Sequence, residues 1–380
     1  MDFKEKSLEL INNKYEETLL NRNKSLNWLK NNIKKYNMNV CIFSCGKTSI
    51  DAYFKLKKEG IIVDFFSDND KKWHEKVVLE NKICIAPERI DRENTIIIVA
   101  TIYIDDIWEQ LKRMKFNYLI SIYEIYYLVN NNFDQSLSKE ELLKNTKLLF
   151  DILADEESKK FVYFKLNSMI NYQNCFNIHN SFKPYNNTKQ YFPANINFSY
   201  KKGAFVDCGA YDGDTLNAVC NNILWDNSRY VCYELDEKNF CKLKKYIDQY
   251  FETYKNKIDL YNMGVGKEKC NINYLSLGTE SKIVCNKDAM QGILVKISEH
   301  LKNENVGYIK MDIEGAEMDA LIGATELIID QKPVLGICLY HKFSDLWTIP
   351  LYIKKIVPEY KIYIRHHTDI HLETVCYATL

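Results

Sequence analysis

The segment Phe205-Val-Asp-Cys-Gly-Ala-Tyr-Asp-Gly-Asp-Thr215 brings acids, two glycines and a hydroxyl together at a spacing that fits a ligand-binding loop. The apolar run from Gly203 to Val206 reads as a strand ending in Asp207, and Gly209 and Gly213 let the backbone bend closely around a bound molecule. A second apolar run, Tyr230–Tyr233, ends in Glu234, a carboxylate suited to both hydroxyls of a ribose. A glycine loop after one strand and an acid after the next is how a doubly wound sheet holds adenosine. The order here is D-x-G-x-x-x-G, not G-x-G-x-x-G. With Asp207 ahead of the glycines, it favours S-adenosylmethionine (SAM) over a nicotinamide dinucleotide. The expected cofactor set is Asp207, Gly209, Asp212, Gly213, Thr215 and Glu234. The structural alternative is a plain strand-to-helix turn.

Three further groups could carry chemistry. Tyr308-Ile-Lys-Met-Asp312 ends a strand, and Glu314, Gly315 and Glu317 then open a helix. Ligands of open α/β sheets lie beyond the carboxyl ends of strands, although acids at a helix start are stabilising with no function at all. His341 also stands at a strand end, after Leu339-Tyr340. Asp312 and His341 are the expected catalytic pair, His341 having the better match to a general base near neutral pH. Glu314 and Glu317 are assigned to the substrate, as are Arg365 and His366 from the Arg365-His-His-Thr-Asp369 tip, for which a hairpin capped by solvated charge is the alternative. Tyr191 and Phe192, in an Asn-, Pro- and Tyr-rich stretch, are expected to form a lid over the substrate, with core packing as the alternative. The acids and His341 are oxygen and nitrogen donors suited to Mg²⁺, but their spacing is no metal signature and no metal is expected.

The elements that position these residues follow from periodicity. Residues 5–36 have helical spacing. Strands at 40–43, 61–66, 83–85, 95–100 and 118–120 alternate with helices, which implies a small parallel sheet. Residues 136–180 read as helices, and from 203 the alternation restarts with strands at 203–207, 229–234, 258–263, 306–312 and 334–340. The last apolar runs, 360–365 and 373–379, have no helix between them and should form an antiparallel hairpin. The fold class is α/β. The domains are a helical segment 1–37, a small Rossmann-like domain 38–130, a helical bridge 131–180, and a SAM-dependent methyltransferase domain 181–380.

Composition bounds the setting. Lys+Arg and Asp+Glu both number 51, so the formal net charge is +0, and the basic footprint of a nucleic-acid binder is missing. The 12 cysteines form no C-x-x-C pair and several sit in apolar strands, as buried thiols of a reducing compartment do. The start, MDFKEKSLEL, is charged where a signal peptide is apolar. No apolar run approaches the roughly 18 residues of a membrane span. A cytoplasmic protein is expected.

FVDCGAYDGDT (205–215), YELDEKN (233–239), IKMDIEGAE (309–317), LYHKFSDLWTIP (339–350) and YIRHHTDIHLETVCYA (363–378), in that order, resemble the FkbM family of SAM-dependent O-methyltransferases. The resemblance covers about 190–380. It implies methyl transfer to a hydroxyl of a small molecule, commonly a sugar or a polyketide-like compound. It sets Asp207, Gly209, Asp212, Gly213 and Glu234 on the family's SAM pattern, and Asp312, Glu314, Glu317 and His341 on its later strand-end motifs. The N-terminal sheet resembles nucleotide-sugar- or CoA-binding-like units, with FSDND (66–70) at the acidic tip and only Gly46 left of a glycine loop. That unit is expected to serve the acceptor, with interdomain packing alone as the alternative. The rivals are a nucleobase or other N-methyltransferase, which usually carries Asn/Asp-Pro-Pro-aromatic where this chain has Asp312-Ile-Glu-Gly, and a non-catalytic SAM-binding scaffold. Oligomeric state is not legible.

Overall fold

The computed structural model describes residues 2–101, 104–121, 138–170, 190–198, 202–222, 229–275, 282–284, 290–367 and 373–380. The chain divides into two compact units: Glu5–Leu143 with Phe164–Ser181, and Met1–Lys4 with Lys144–Tyr163 and Phe182–Leu380.

In the first of these units, the long helix α1 (Phe3–Tyr36) precedes a six-stranded sheet. The strands are β1 (Asn39–Phe43), β2 (Phe65–Ser67), β3 (Val77–Leu79), β4 (Lys82–Ile85), β5 (Thr95–Val99) and β6 (Tyr118–Ser121), in the order β3-β4-β2-β1-β5-β6. β5 is buried along its whole length and β1 at all but its first residue, as parallel strands covered on both faces must be. The strand expected over 61–66 becomes regular only at Phe65, because Asp64 Oδ2 accepts the Val40 N–H at 2.7 Å in place of a backbone carbonyl. In the FSDND tip Asn69 and Asp70 are exposed, and half-buried Asp68 is engaged by the backbone. Asp68 accepts the backbone N–H of Cys45 on Oδ2 and of Asp70 on Oδ1, each at 2.8 Å.

The other unit carries the motif-rich half. Its main sheet has seven strands in the order β16-β17-β15-β14-β7-β8-β9. They are β7 (Ala204–Cys208), β8 (Tyr230–Tyr233), β9 (Ile258–Tyr261), β14 (Val306–Met311), β15 (Val334–Cys338), β16 (Lys361–His366) and β17 (Thr374–Thr379). The five from β7 to β15 run parallel, while β17 pairs antiparallel with both β15 and β16. Phe205 stacks on Tyr230 and Tyr308 with ring centroids 5.5 and 4.7 Å away, so one aromatic file runs across three adjacent strands. A second, four-stranded sheet, β10 (Gly264–Val265), β11 (Cys270–Leu275), β12 (Lys282–Val284) and β13 (Met290–Val295), has no counterpart in the sequence reading.

The stretch expected as a bridge is divided between the units. Of it, 131–137 and 171–180 lie outside the described residues, and residues 144–163 belong with the C-terminal sheet. Leu153 bridges to Ile362, and Arg365 ion-pairs with Asp155 and, at 3.5 Å, with Glu157. This corrects the assignment of Arg365 and His366 to substrate. Arg365 is 1 % exposed and spends its guanidinium on this stitch. Burial pushes the Asp155 carboxyl up, but Arg365 and Ser158 outweigh it and hold it below the usual range. His366 is buried, stacked on Phe161, with Nδ1 2.9 Å from Thr374 Oγ1. The expected tip residues Thr368 and Asp369 lie outside the described residues.

Candidate active site

Parallel strands leave their carboxyl ends on one edge, and here the ends of β7, β8, β14 and β15 surround a cavity of ≈ 680 Å³. The loop after β7 forms one wall. Gly209 has φ +84°, and a Cβ there would lie 1.9 Å from the Asp312 carbonyl oxygen, so only glycine lets β7 and β14 end this close together. Gly213, at φ +95°, meets the Tyr246 ring in the same way and serves packing. Tyr211, Asp214 and Thr215 line the cavity; Asp212 does not. Helix α6 (Asp214–Asn222) starts at this loop, with the Thr215 N–H bound to Asp214 Oδ1 at 2.6 Å.

Glu234 closes the next side. It is 7 % exposed and lines the cavity. Its Oε2 accepts the Tyr211 N–H at 2.9 Å and its Oε1 the Asp236 N–H at 2.8 Å. Each oxygen keeps a lone pair for a further donor. Burial pushes the carboxyl up to about 7, against the pull of those two amides. Leu235, Val265 and Leu294 supply an apolar surface beside it. A buried carboxylate with free acceptor capacity next to apolar walls fits a ribose bearing a base.

Asp207 is in the sheet, not in the cavity. It is fully buried, receives the Tyr230 hydroxyl, and lies 2.8 Å from Lys310 Nζ. Lys310 is its register partner on β14 and also donates to the Gly209 carbonyl at 2.6 Å. Burial works against the Lys310 charge, but the Asp207 and Asp312 carboxylates hold its pKa above the ordinary lysine value. The acid of the glycine loop thus anchors a lysine that holds the loop. The sequence did carry a signal for this: a lysine inside the otherwise apolar strand 306–311, two residues before Asp312 and therefore on the same face.

At the end of β14, Asp312 lines the cavity between two phenols. Tyr340 donates to its Oδ1 at 2.7 Å and Tyr191 to its Oδ2 at 3.2 Å. Burial raises both phenol pKa values, so both are neutral donors at neutral pH. Glu314 also lines the cavity, on a turn with φ +57°. Glu317 does not. It is fully buried at the start of α8 (Glu317–Gln331), and its Oε1 accepts the Ile313 N–H at 2.9 Å, which holds that turn from behind. Its expected substrate role is therefore corrected to a supporting one. His341 likewise stands behind Asp312, with Nε2 3.6 Å from both Asp312 Oδ1 and Glu314 Oε2 and Nδ1 2.8 Å from Glu317 Oε1. Burial alone would lower its pKa, but Glu317, Asp312 and Glu314 outweigh burial and hold it at about 9. An imidazole that keeps its proton at pH 7 is a poor free base, contrary to the pKa match expected of it.

The lid expectation also changes. Phe192 is 7 % exposed and packs on Phe205 and Tyr308, a core position. Tyr191 is 5 % exposed; its N–H is bound by the Tyr377 hydroxyl and its carbonyl by the Tyr308 hydroxyl, which fixes it as a wall. Gln190 and Glu373, which reading the sequence did not single out, line the cavity beside it.

The architecture is that of a Rossmann-like methyltransferase. The crystal structure of methyltransferase FkbM from Methylobacillus flagellatus is similar to this chain with a TM-score of 0.69 and 22 % identity, covering 90 % of each. A putative rRNA methylase from Clostridium thermocellum has a TM-score of 0.31 and 9 % identity, over 48 % of this chain and 87 % of that one. Fibrillarin from Aeropyrum pernix, in complex with S-adenosyl-L-methionine, also has a TM-score of 0.31 and 9 % identity, over 47 % of this chain and 67 % of that one. No family model and no curated protein matches the sequence. Among the described residues, no helix is long and apolar enough to cross a membrane.

Proposed function

We propose that this chain is a SAM-dependent methyltransferase that methylates a hydroxyl of a small acceptor, a sugar or glycan. The observation that carries the reading is Glu234, a buried carboxylate with spare lone pairs facing the same cavity that Asp312 lines from the other side. SAM supplies a methyl group activated on a sulfonium sulfur. Glu234 would accept the ribose hydroxyls, with Leu235, Val265 and Leu294 against the base and the 209–215 loop around the amino-acid end. The cavity is within the ≈ 300–1,000 Å³ usual for such ligands. Asp312, held by Tyr191 and Tyr340, would orient the acceptor hydroxyl and take its proton as the new C–O bond forms. His341 would support Asp312 from behind. A reducing, cytoplasmic setting would go with the reading, since Cys41, Cys84, Cys208, Cys232, Cys338 and Cys376 are buried free thiols of the two main sheets.

The test is mass spectrometry of cellular glycans with and without the protein. A difference of one methyl group on a single sugar hydroxyl is the expected outcome. An identical glycan profile together with a new methyl on a nitrogen acceptor would overturn the hydroxyl assignment.

A further inference from the structure

Behind the acceptor side of the cavity, the ends of β14 and β15 and the first turn of α8 bring together Asp312, His341 and Glu317. One donor atom from each lies within 4.8 Å of the others. Two donors on opposite sides of a metal with 2.0–2.2 Å bonds stand about 4.2 Å apart. Drawing the most distant pair in by about 0.6 Å to opposite positions, with the third donor closing to an adjacent one about 3 Å away, would let all three reach one ion. Two of the three are buried with unmet polar atoms. The His341 side chain is 9 % exposed, and Nε2, which faces the carboxylates, has no hydrogen-bond partner among the described residues. Glu317 is fully buried, and its Oε2 has none among them either. Buried polar atoms are nearly always paired, and an unpaired one calls for an ion, a water or a function. An imidazole nitrogen and a carboxylate oxygen, both unpaired among the described residues and beside a second carboxylate, form the donor set of a divalent cation, which would take the place of the proton that His341 otherwise holds.

We propose that Asp312, Glu317 and His341 bind a first-row divalent cation. Its remaining coordination positions would open to the cavity past Asp312, the one member of the set that lines it. One nitrogen with two carboxylate oxygens suits ions of the Mn²⁺ or Zn²⁺ kind better than Ca²⁺. The ligands are spread over positions 312, 317 and 341, and only the adjacency of β14 and β15 unites them. Their spacing in sequence therefore gave no metal signature. The cation's role rests on the methyl-transfer reading: it would polarise the acceptor hydroxyl so that its proton leaves more readily. Its binding does not rest on that reading.

Mn²⁺ titrated into EDTA-stripped full-length protein and followed by electron paramagnetic resonance tests the proposal. One saturable site per chain is expected, with pulsed spectra carrying nitrogen modulation from one imidazole. His341→Gln should abolish that modulation and weaken binding at least tenfold, and Glu317→Gln should weaken it by a similar factor, with near-ultraviolet dichroism confirming that each variant is folded. The wild-type spectrum is decisive even if a variant fails to fold. No saturable site, a site without nitrogen modulation, or unchanged affinity in folded His341→Gln would overturn the proposal. A SAM titration in EDTA, run in parallel, tests the cofactor reading separately, so either idea can fail alone.

Discussion

Removing Lys310 gives the sharpest internal test of how the loop is held. Lys310→Met keeps the side-chain length but leaves Asp207, which is fully buried, without its cation. A buried pair broken on one side costs about 3–5 kcal/mol, because the remaining charge is uncompensated. Protonation limits the damage. With an unfolded carboxyl pKa of about 3.9, neutralising Asp207 at pH 7 costs at most about 4 kcal/mol, from three pH units at about 1.36 kcal/mol each. In the variant the folded state holds a proton that the unfolded state has released, so stability falls as pH rises above the unfolded pKa. Burial already raises the Asp207 carboxyl in the wild type, with Lys310 and Tyr230 opposing it, so the expected loss is up to about 4 kcal/mol at pH 7 and up to about 1.5 kcal/mol at pH 5. Because the chain has two compact units, a single melting transition is a poor readout. Hydrogen exchange of β7 and β14 amides, measured at both pH values, reports the opening energy locally. A loss below about 1 kcal/mol at pH 7, or one independent of pH, would refute the argument that Asp207 is held ionised by Lys310. Asp207→Asn combined with Lys310→Met should recover part of the loss.

Other outcomes follow from the same geometry. Glu234 must be ionised to accept two ribose hydroxyls, and burial sets it near 7. SAM affinity should therefore rise through pH 7 and level off above, a pH dependence that Glu234→Gln abolishes; calorimetry between pH 5.5 and 8.5 checks this. Arg365→Met should lower the opening energy of β16 amides by about 1.5–3 kcal/mol, because half-buried Asp155 loses the charged hydrogen bonds of the guanidinium, while leaving SAM affinity as it was. A change in SAM affinity there would return Arg365 to the site.

The parallel order of the C-terminal strands was legible because each is an apolar run ending in an acid, a glycine or a histidine, and because Glu234 and Asp312 mark strand ends on the side where ligands bind. Burial direction was not legible. Asp207 and Glu317 have the same chemistry as Glu234 and Asp312, but the backbone turns them into the sheet and behind the 313–315 turn. Tyr191 and Phe192 looked like lid residues because their neighbours are polar in sequence; both are packed under the sheet edge by Tyr308 and Tyr377, which are distant in the chain. Arg365 and His366 sit in a charged run that reads as surface, and only the return of residues 155–161 over β16 buries them. The four-stranded sheet was not legible because β10 and β12 have only two and three residues and β11 interleaves asparagines, as in Asn271-Ile-Asn-Tyr274.

The central claim is that the cavity flanked by Glu234 and Asp312 binds SAM. Calorimetric titration of SAM into the full-length protein tests it most directly. The account predicts one saturable site per chain, weakened by about 10- to 150-fold in Glu234→Ala, the equivalent of a charged hydrogen bond of about 1.5–3 kcal/mol. No saturable SAM binding, or wild-type affinity in Glu234→Ala, would contradict it.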